Sequence, residues 1–376
     1  MRLLHIVPSY LPATRYGGPI YSVHALCSQL VKQGHDVEVY TTNVDGRGVS
    51  SVPTGAPVDL DGVRVTYFAT GLGRRLYRSP DMAVALQNNL STFDVVHLHS
   101  VFLWPTTAGA SACRRAGISY VVSPRGMLVD DLIRRKSAWV KRAWITLFER
   151  RNINRAHAVH ATSTIEADEI RKLGFCPRSV AVIPNGIDLL PNPPRRVETA
   201  APFVLYLGRI NWKKGIDRLI RAMAHVPGIP LVVAGNDEET YAPSLQQLAR
   251  ELGLAERVTF CGPVFGDDKW KLMASATVFV LPSYSENFGN VVLEAMSCSV
   301  PVVVTPEVGL AHAVSACGAG IVVNGAPEVL GTAIVKLLAD RELRKQMGDA
   351  GCRAARELFS WEAVARSMAD LYLEAA

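Results

Sequence analysis

The sequence lacks the usual marks of a secreted or membrane-spanning protein. Its seven cysteines are odd in number, lie far apart and form no CxxC pair, which predicts reduced thiols in a cytosolic protein. The first residues, MRLLHIVPSYLP, carry one basic residue and an apolar run too short for a signal peptide. Apolar stretches of the ~20 residues needed to span a bilayer are missing too. We therefore expect a cytoplasmic protein.

Several ligand motifs are also absent. No G-x-G-x-x-G follows the first predicted strand, which disfavours a dinucleotide-dependent dehydrogenase. No His, Cys and carboxylate cluster has the spacing of metal ligands, and Asp59 and Asp61 are better explained by a turn before a strand. The net charge of +6 suits phosphate-bearing ligands or an anionic surface but is too small to indicate a nucleic acid.

The most informative stretch is 277–305, TVFVLPSYSENFGNVVLEAMSCSVPVVVT. Two β-branched runs, 277–281 and 300–305, predict buried strands, and residues 290–298 between them predict a helix. Strand, helix and strand in this order form a crossover unit of a parallel sheet. The helix is apolar almost all round, so Glu294 in its middle needs a partner.

A helix that starts near Asn290 offers free N–H groups and a positive dipole end, which favour a phosphate. Glu294 lies about 6 Å further along the axis, where its two oxygens could accept from both hydroxyls of a ribose. Glu286, in the preceding loop, would face the group on the other phosphate. The alternative is a helix glutamate paired with a structural arginine, and an unrelated surface glutamate. The residues that would line this phosphate and ribose site are Glu286, Phe288, Gly289, Asn290, Val291 and Glu294.

Other candidate ligand-binding residues lie in loops that follow predicted strands. Arg209 and Lys214 flank a strand-to-helix loop at 208–215 and could neutralise a diphosphate, although a generic basic loop is the alternative. Gly17 and Gly18 lie between the first strand and first helix, where a turn or a close ligand would explain them equally well.

Two further candidates belong to the N-terminal half. His99 ends the strand 93–100, with His97 on the same face, and is either structural or at a ligand edge. Arg125 follows the strand 118–123 and either clamps a phosphate or carboxylate or pairs with Asp130 or Asp131.

The stretch PSYSENFGNVVLEAMSCSVPVVVT, with glutamates separated by seven residues, resembles the signature of the retaining glycosyltransferases of family 4 (glycosyltransferase group 1). Ser299 departs from the family's usual glycine, which affects a turn. The resemblance implies the α/β GT-B fold: two Rossmann-like domains whose parallel sheets face across a cleft that holds a sugar nucleotide. The predicted domains are an acceptor domain at 1–190, a proline-rich linker at 191–202 and a donor domain at 203–359, with a last helix at about 360–376 returning to the first domain.

The resemblance also implies the activity and its residues. A sugar would pass from a nucleotide diphosphate sugar to a hydroxyl of a glycan or lipid-linked acceptor, with no other cofactor and no metal. Arg209 and Lys214 would hold the donor phosphates, and His99, the second histidine of DVVHLH, would face the donor sugar. The predicted catalytic residues are Glu286, His99, Arg209 and Lys214; Gly17 and Gly18 would bind the donor, and Arg125 and Gly18 the acceptor. Rival hypotheses are a nucleotide-sugar epimerase or hydrolase on this fold, and a non-catalytic partner subunit.

A strongly basic helix is predicted at 132–156. Val140, Trp144, Leu147 and Phe148 form its apolar stripe, and Arg135 and Arg142 lie opposite. One interpretation is a helix that covers the sheet, buries Trp144 and leaves its basic face in water. The other is a peripheral contact with the inner face of the cytoplasmic membrane, made by the basic residues with Trp139 or Trp144 at the interface.

Overall fold

The computed structural model describes residues 1–13, 18–129, 133, 138–189, 201–237 and 239–376. The chain divides into two compact units. Residues 1–186 and 361–376 form unit 1, and residues 187–360 form unit 2. The predicted linker 191–202 lies outside the described residues except for its last two positions.

Unit 1 is built on a sheet with alternating strands and helices. Its strands are β1 (Arg2–Val7), β2 (Asp36–Thr42), β3 (Val44–Asp45), β4 (Gly48–Val49), β5 (Pro57–Leu60), β6 (Val63–Phe68), β7 (Val95–His99), β8 (Ser119–Ser123), β9 (Ala158–Ala161) and β10 (Val180–Val182). Its helices are α1 (Gly18–Lys32), α2 (Pro80–Asn89), α3 (Trp104–Ala116), α4 (Ala138–Trp144), α5 (Arg150–Asn154), α6 (Thr164–Lys172) and the C-terminal helix Trp361–Ala375.

The main sheet of unit 1 has the strand order β10-β9-β8-β7-β1-β2-β6-β5. All its pairs are parallel except β5 with β6. Hydrophobic clusters cover both faces, as the nearly continuous apolar strands require. Asp61, with φ of 54°, and Gly62 form the tight turn between β5 and β6, so the interpretation of this acidic pair as a turn is confirmed.

The basic helix is more irregular than predicted. A π-helical turn, Ile145–Glu149, joins α4 to α5, while residues 130–132 and 134–137, including Asp130, Asp131 and Arg135, lie outside the described residues. The extra residue in this turn shifts the helix face. Ile145, Glu149 and Ile153 are therefore buried, whereas Leu147 of the predicted stripe is exposed.

Unit 2 contains a six-stranded parallel sheet with the order β13-β12-β11-β14-β15-β16. Its strands are β11 (Val204–Leu207), β12 (Leu231–Ala234), β13 (Val258–Gly262), β14 (Val278–Leu281), β15 (Val302–Val304) and β16 (Gly320–Val322). Its helices are α7 (Ile216–Ala222), α8 (Ala242–Glu251), α9 (Gly266–Ser275), α10 (Asn290–Ser297), α11 (Ala311–Ala316), α12 (Pro327–Ala339) and α13 (Arg341–Glu357).

The crossover predicted for 277–305 is confirmed as β14, α10 and β15, with β14 and β15 paired in parallel. Ser299 lies in the turn after α10 with φ of 57°. This left-handed conformation favours glycine, which explains the glycine expected there. Ser299 in place of the family's glycine therefore affects the turn after α10, as predicted.

Candidate active site

The candidate site of unit 2 lies where the strand order of its sheet reverses. Strand β11 pairs with β12 on one side and with β14 on the other. The loops after β11 and β14 leave the same edge in opposite directions, so a crevice opens between them, as in other open α/β sheets. These loops carry Lys214 and Glu286.

A close approach of backbone joins the two loops. Tyr284 N–H donates to the carbonyl of Lys213 over 2.7 Å. A Cβ on Gly215, which has φ of 65°, would lie 2.0 Å from the carbonyl oxygen of Pro282. Glycine is therefore required here by both its backbone conformation and the lack of space. The contact fixes the position of Lys214 next to the second loop.

Lys214 and Glu286 form an ion pair between Nζ and Oε2. Their side chains are 16% and 17% exposed, so each charge is mostly withdrawn from water but still reachable. Glu286 is held by its backbone, which donates to Glu307 O over 3.1 Å and accepts from Gly309 N over 2.9 Å. Glu286 is thus a rigidly placed partner of Lys214 and not an unrelated surface residue.

Helix α10 begins directly after this pair. Gly289, with φ of 97°, caps the helix, and a Cβ there would lie 3.1 Å from a methyl of Val308. Phe288 is buried beneath the loop, Asn290 is exposed and Val291 is partly exposed. The first turn therefore presents backbone N–H groups beside the Lys214–Glu286 pair, the arrangement that favours an anion.

Glu294 has the partner that its burial requires, but the partner was not predicted. Lys269 Nζ of helix α9 lies 2.7 Å from Glu294 Oε1. Burial raises the pKa of the Glu294 carboxyl, and Lys269 opposes that rise. The alternative from the sequence, a structural arginine as the partner of Glu294, is wrong about the residue type, because Lys269 supplies the positive charge. Lys269 uses one carboxylate oxygen of Glu294, and the other oxygen forms no ion pair with the residues that the structure describes.

Arg209 lies at the exposed side of the same crevice. Its carbonyl accepts from the buried Tyr206 hydroxyl over 2.9 Å, which fixes the backbone at the end of β11. The Arg209 guanidinium is exposed and forms no ion pair with the part of the chain that the structure describes. Arg209, Lys214 and Lys269 therefore bring three cations to this edge against the two glutamates.

In unit 1 the strand order reverses between β1 and β7. His99 is the last residue of β7, and Gly18 is the first residue of α1, which follows β1. Gly17 lies outside the described residues. His99 and His97 share a face, as predicted, with ring centroids 4.1 Å apart.

A chain of buried hydrogen bonds crosses the sheet of unit 1. Ile183 O can only accept, so the nitrogen 2.8 Å away, His160 Nε2, carries its hydrogen. His160 Nδ1 then accepts from Ser123 Oγ over 2.6 Å, and Ser123 Oγ accepts from His97 Nε2 over 2.6 Å. His97 Nδ1 accepts from Tyr372 O–H over 2.6 Å. The chain ties the C-terminal helix to three strands and fixes two histidine tautomers.

A second hydrogen-bonded set includes His99. Arg125 Nη2 lies 3.3 Å from His99 Nδ1, and His99 Nε2 lies 3.0 Å from His5 Nδ1. Because a guanidinium only donates, His99 Nδ1 accepts and His99 Nε2 carries the hydrogen that it gives to His5. Arg125 Nη1 also donates to Asn185 Oδ1 over 3.0 Å.

The four histidines are neutral because they are buried. Burial, reinforced by Arg125, lowers the pKa of His5 and of His160 to about 3. Burial also lowers the pKa of His97 and of His99 well below the usual value, with neighbouring histidines and Arg125 adding to the effect.

The nitrogens of His5, His97 and His99 lie within 4.8 Å of one another, the spacing of a possible metal site. His97 and His99 already use both ring nitrogens, and Arg125 places a positive charge beside them. A divalent cation would break these bonds and face that charge. The donor set fits a hydrogen-bonded network better than a metal.

Two neighbouring cavities lie in unit 1. One has a volume of about 320 Å³ and apolar walls that include Val7, Ile20 and Leu103, with His99 and Arg125 as polar groups. The other, of about 630 Å³, is lined by Val44, Gly46, Arg47, Arg74, Arg75 and Tyr77. Tyr77 lines both cavities. None of these three arginines has an ion pair within the described ranges, so this cavity is strongly positive.

Two family models match the chain. The model of the group 1 glycosyl transferases matches residues 193–353, and that of the glycosyl transferase 4-like domain matches residues 17–186. Together they account for most of both units. The chain belongs to the group 1 glycosyltransferases.

Curated relatives and solved structures agree with this assignment. The D-inositol 3-phosphate glycosyltransferase of Xylanimonas cellulosilytica is 28% identical over 413 residues, covering 100% of this chain and 96% of the relative. An uncharacterized glycosyltransferase of Methanocaldococcus jannaschii is 34% identical over 181 residues, which is 47% of this chain and 46% of the relative.

Among solved structures, the sucrose-phosphate synthase of Thermosynechococcus elongatus superposes with a TM-score of 0.74 at 23% identity, covering 99% of this chain and 98% of that chain. Anabaena HepE, in complex with UDP and glucose, has a TM-score of 0.71 at 21% identity, with 99% of both chains covered. The fold of this glycosyltransferase is therefore GT-B, as predicted.

Sequence reasoning missed several residues of this glycosyltransferase. His5, His160 and Tyr372 form the buried network, and Lys269 holds Glu294. A signal existed for the histidines, because four of the nine in the chain fall in the short apolar runs LLHIV, VVHLH and AVHA. Lys269 carried no such signal, since it lies on a polar helix 25 positions before its partner.

Proposed function

We propose that this enzyme transfers a sugar from a nucleotide diphosphate sugar to an acceptor hydroxyl, with retention of the anomeric configuration. The observation that carries the proposal is the Lys214–Glu286 pair beside the first turn of α10, at the point where the strand order of unit 2 reverses. Cations next to a helix N-terminus suit a diphosphate, and the neighbouring carboxylates suit hydroxyl groups. HepE, of the same fold, was solved with UDP and glucose.

Each donor group has a proposed partner. Arg209, Lys214 and the backbone that leads into the first turn of α10 (Phe288 to Val291) hold the diphosphate, and Glu294, oriented by Lys269, holds the ribose. Glu286 accepts from hydroxyls of the sugar. As the anomeric carbon–oxygen bond breaks, its electron pair leaves with the nucleoside diphosphate, and Arg209 and Lys214 stabilise that charge. The acceptor oxygen bonds the same face of the carbon and gives its proton to the leaving phosphate oxygen. Fixed cations make a metal unnecessary.

The acceptor lies in unit 1 and carries a phosphate or another anionic group. The cavity with His99 and Arg125 has a volume at the lower end of small-molecule sites, roughly 300–1,000 Å³, and the neighbouring cavity brings Arg47, Arg74 and Arg75. Relatives named as D-inositol 3-phosphate glycosyltransferases agree with a phosphate-bearing acceptor. A lipid-linked or cell-surface glycan precursor has this chemistry.

The experiment is a thermal-shift screen of nucleotide diphosphate sugars, followed by an assay of sugar transfer from the donor found. A ligand that binds the folded state raises its melting temperature. We expect release of nucleoside diphosphate that depends on an added phosphate-bearing acceptor, and a product with the donor's anomeric configuration. Rapid hydrolysis or epimerisation without acceptor would instead support the rival activity, and an inverted product would contradict retention.

The helix around Trp139 supports a peripheral membrane contact. Trp139 is 79% exposed and Leu147 is 68% exposed, and Arg142 and Arg151 lie in water near them. Trp144 is only partly buried and donates to Glu149 over 3.0 Å. None of the described helices is long and apolar enough to cross a membrane. An exposed apolar patch with basic neighbours is the composition of an interfacial helix.

We expect weak, salt-sensitive binding to anionic vesicles, with each basic residue near the surface contributing about 1 kcal/mol. Co-sedimentation with neutral and anionic vesicles tests this. Trp139→Ser/Leu147→Ser should reduce the bound fraction, while Val84→Ser, which alters an exposed apolar residue elsewhere in unit 1, should not. Equal binding by both variants would exclude this helix as the contact.

A further inference from the structure

One side chain of unit 2, that of Arg218, contacts three of the loops at the sheet edge where the candidate site lies. Arg218 is in the first turn of α7, the helix that follows the Lys214 loop. Its guanidinium lies over the ring of Tyr284, with Cζ 3.5 Å from the ring centroid. This is the distance of a planar group in van der Waals contact, and arginine favours such stacking on aromatic rings. The stack is on the loop after β14, two residues before Glu286.

The same guanidinium reaches the loops after β15 and β16. Arg218 Nη1 lies 4.0 Å from Glu307 Oε1 and 3.5 Å from the carbonyl oxygen of Pro282. A Cβ on Gly325, in the loop after β16, would overlap the guanidinium, so glycine leaves the space that Arg218 fills. The Arg218 side chain is 19% exposed and that of Glu307 is 43% exposed, so water weakens their ion pair. The stack on Tyr284 is therefore the stronger of these contacts.

Tyr284 is held at both of its ends. Its hydroxyl donates to Asp217 Oδ2 over 2.9 Å, and its backbone N–H donates to the carbonyl of Lys213 over 2.7 Å. Asp217 precedes Arg218 in the first turn of α7, where the helix dipole favours a carboxylate. These two bonds orient the ring that Arg218 covers. Together the three contacts fix the loop after β14 against α7 and the loop after β11.

The position of Glu286 depends on the loops that Arg218 contacts. Glu286 N–H donates to the carbonyl of Glu307, and Glu286 O accepts from Gly309 N–H, so a short parallel bridge joins the loops after β14 and β15. Arg218 contacts one residue on each side of this bridge, Tyr284 and Glu307. Because Tyr284 lies two residues before Glu286 and Glu307 supplies its acceptor, loss of the Arg218 side chain would loosen the backbone that carries Glu286.

We propose that Arg218 is a positioning residue of the donor site. It binds no substrate group itself, and it holds the loops after β14 and β15 so that Glu286 faces Lys214 and the donor sugar. The role of Glu286 toward the sugar rests on the proposed function. The positioning of Glu286 by Arg218 does not, because it is defined by contacts within unit 2.

The first test needs no ligand. Amide hydrogen exchange on the full chain compares the parent with Arg218→Met, Gly325→Ala and the control Arg221→Met, which removes an exposed arginine of the same helix. We expect the Glu286 and Gly309 amides to exchange about tenfold faster in the first two variants, because the bridge opens more often, while β14 and β15 keep their protection. Gly325→Ala reaches this result by another route, since its Cβ displaces the guanidinium. Parent-like exchange of these amides in either variant would overturn the proposal, and so would faster exchange throughout unit 2.

The second test separates positioning from general damage to unit 2. With the donor found by screening, Arg218→Met should lower kcat for sugar transfer by about 10- to 100-fold, the cost of a misplaced reacting group. Arg218→Lys keeps the charge but has no planar group to stack on Tyr284, so it should lose activity too. In a Glu286→Gln background, Arg218→Met should lower kcat further by less than about twofold, because it acts through Glu286. An equal loss in both backgrounds, or a parent-like kcat for either Arg218 variant, would overturn the proposal.

The two tests also distinguish this proposal from the proposed function. If the parent neither binds nor turns over any nucleotide sugar, the proposed function fails and the hydrogen-exchange result still decides the role of Arg218. If the parent transfers sugar while the Arg218 variants match it in turnover and in exchange, only the positioning role fails.

Discussion

The four buried histidines of unit 1 predict that mild acid destabilises the protein. Burial depresses the pKa of His5, His97, His99 and His160 in the folded state. An unfolded histidine titrates near pH 6.5. The unfolded chain therefore binds protons that the folded chain cannot, and the free energy of unfolding falls as the pH drops from about 6.5 toward about 3, the pKa of His5 and His160.

The expected magnitude is large. A histidine that stays neutral when folded and has an unfolded pKa of about 6.5 lowers the free energy of unfolding by about 2 kcal/mol between pH 7 and pH 5. Four such residues lower it by about 8 kcal/mol, against a typical total of about 5–15 kcal/mol. Burial raises the pKa of Glu149 and Glu294, and raised carboxyl pKa values act in the opposite direction, so they offset part of this loss.

The assay is urea denaturation at pH 7, 6 and 5, with amide hydrogen exchange in β1 and β7 to follow unit 1 separately. His160→Gln should reduce the slope between pH 6 and 5 by about one proton, or about 1.4 kcal/mol per pH unit. His312→Gln, an exposed change in unit 2, should leave it unchanged. In the parent protein, a free energy of unfolding that changes by less than about 1.4 kcal/mol per pH unit would refute the hypothesis that the four buried histidines are neutral in the folded state.

Three smaller predictions concern unit 2. Lys269→Gln leaves Glu294 buried without its cation, so nucleotide affinity measured by calorimetry should fall several-fold; unchanged affinity would mean that Lys269 does not orient Glu294. Gly215→Ala should destabilise unit 2 more than Gly253→Ala, by about 1–3 kcal/mol. Gly215 and Gly253 have φ of 65° and 67°, but only a Cβ on Gly215 would meet a carbonyl oxygen, that of Pro282 at 2.0 Å. Equal urea midpoints of the two variants would argue against this close approach. Transfer should continue in EDTA, and its loss with recovery in Mg²⁺ would contradict the metal-free mechanism.

The sequence was most informative where local pattern and environment agree. The β-branched runs at 277–281 and 300–305 predicted their strands because both lie inside a parallel sheet and carry apolar residues on both faces. The burial of Glu294 followed from its apolar neighbours on the helix. Its partner did not, because an ion pair between two helices depends on how they pack and leaves no mark in the spacing of Lys269.

In the N-terminal half, the local sequence pattern and the structural environment disagree. The prediction of an apolar stripe through Val140 and Leu147 assumed a regular helix. The π-helical turn Ile145–Glu149 instead turns a different face of the helix inward. Glu149 is the one acidic residue after Asp131 in the predicted basic helix, and it is buried and accepts a hydrogen bond from Phe102 N–H. A one-residue insertion in a helix is stabilised by such tertiary contacts, which no periodicity reveals.

The central claim is that Lys214, Glu286 and α10 form the donor site, and one calorimetric titration tests it. The nucleoside diphosphate of the donor found by screening is titrated into the parent protein, Lys214→Ala, Glu294→Ala and the control Lys345→Ala, which removes an exposed lysine of α13. We expect each of the first two variants to lose about 1–3 kcal/mol of binding free energy, the cost of a lost charged hydrogen bond, and the control to bind as the parent does. Parent-like affinity in both Lys214→Ala and Glu294→Ala would contradict the account.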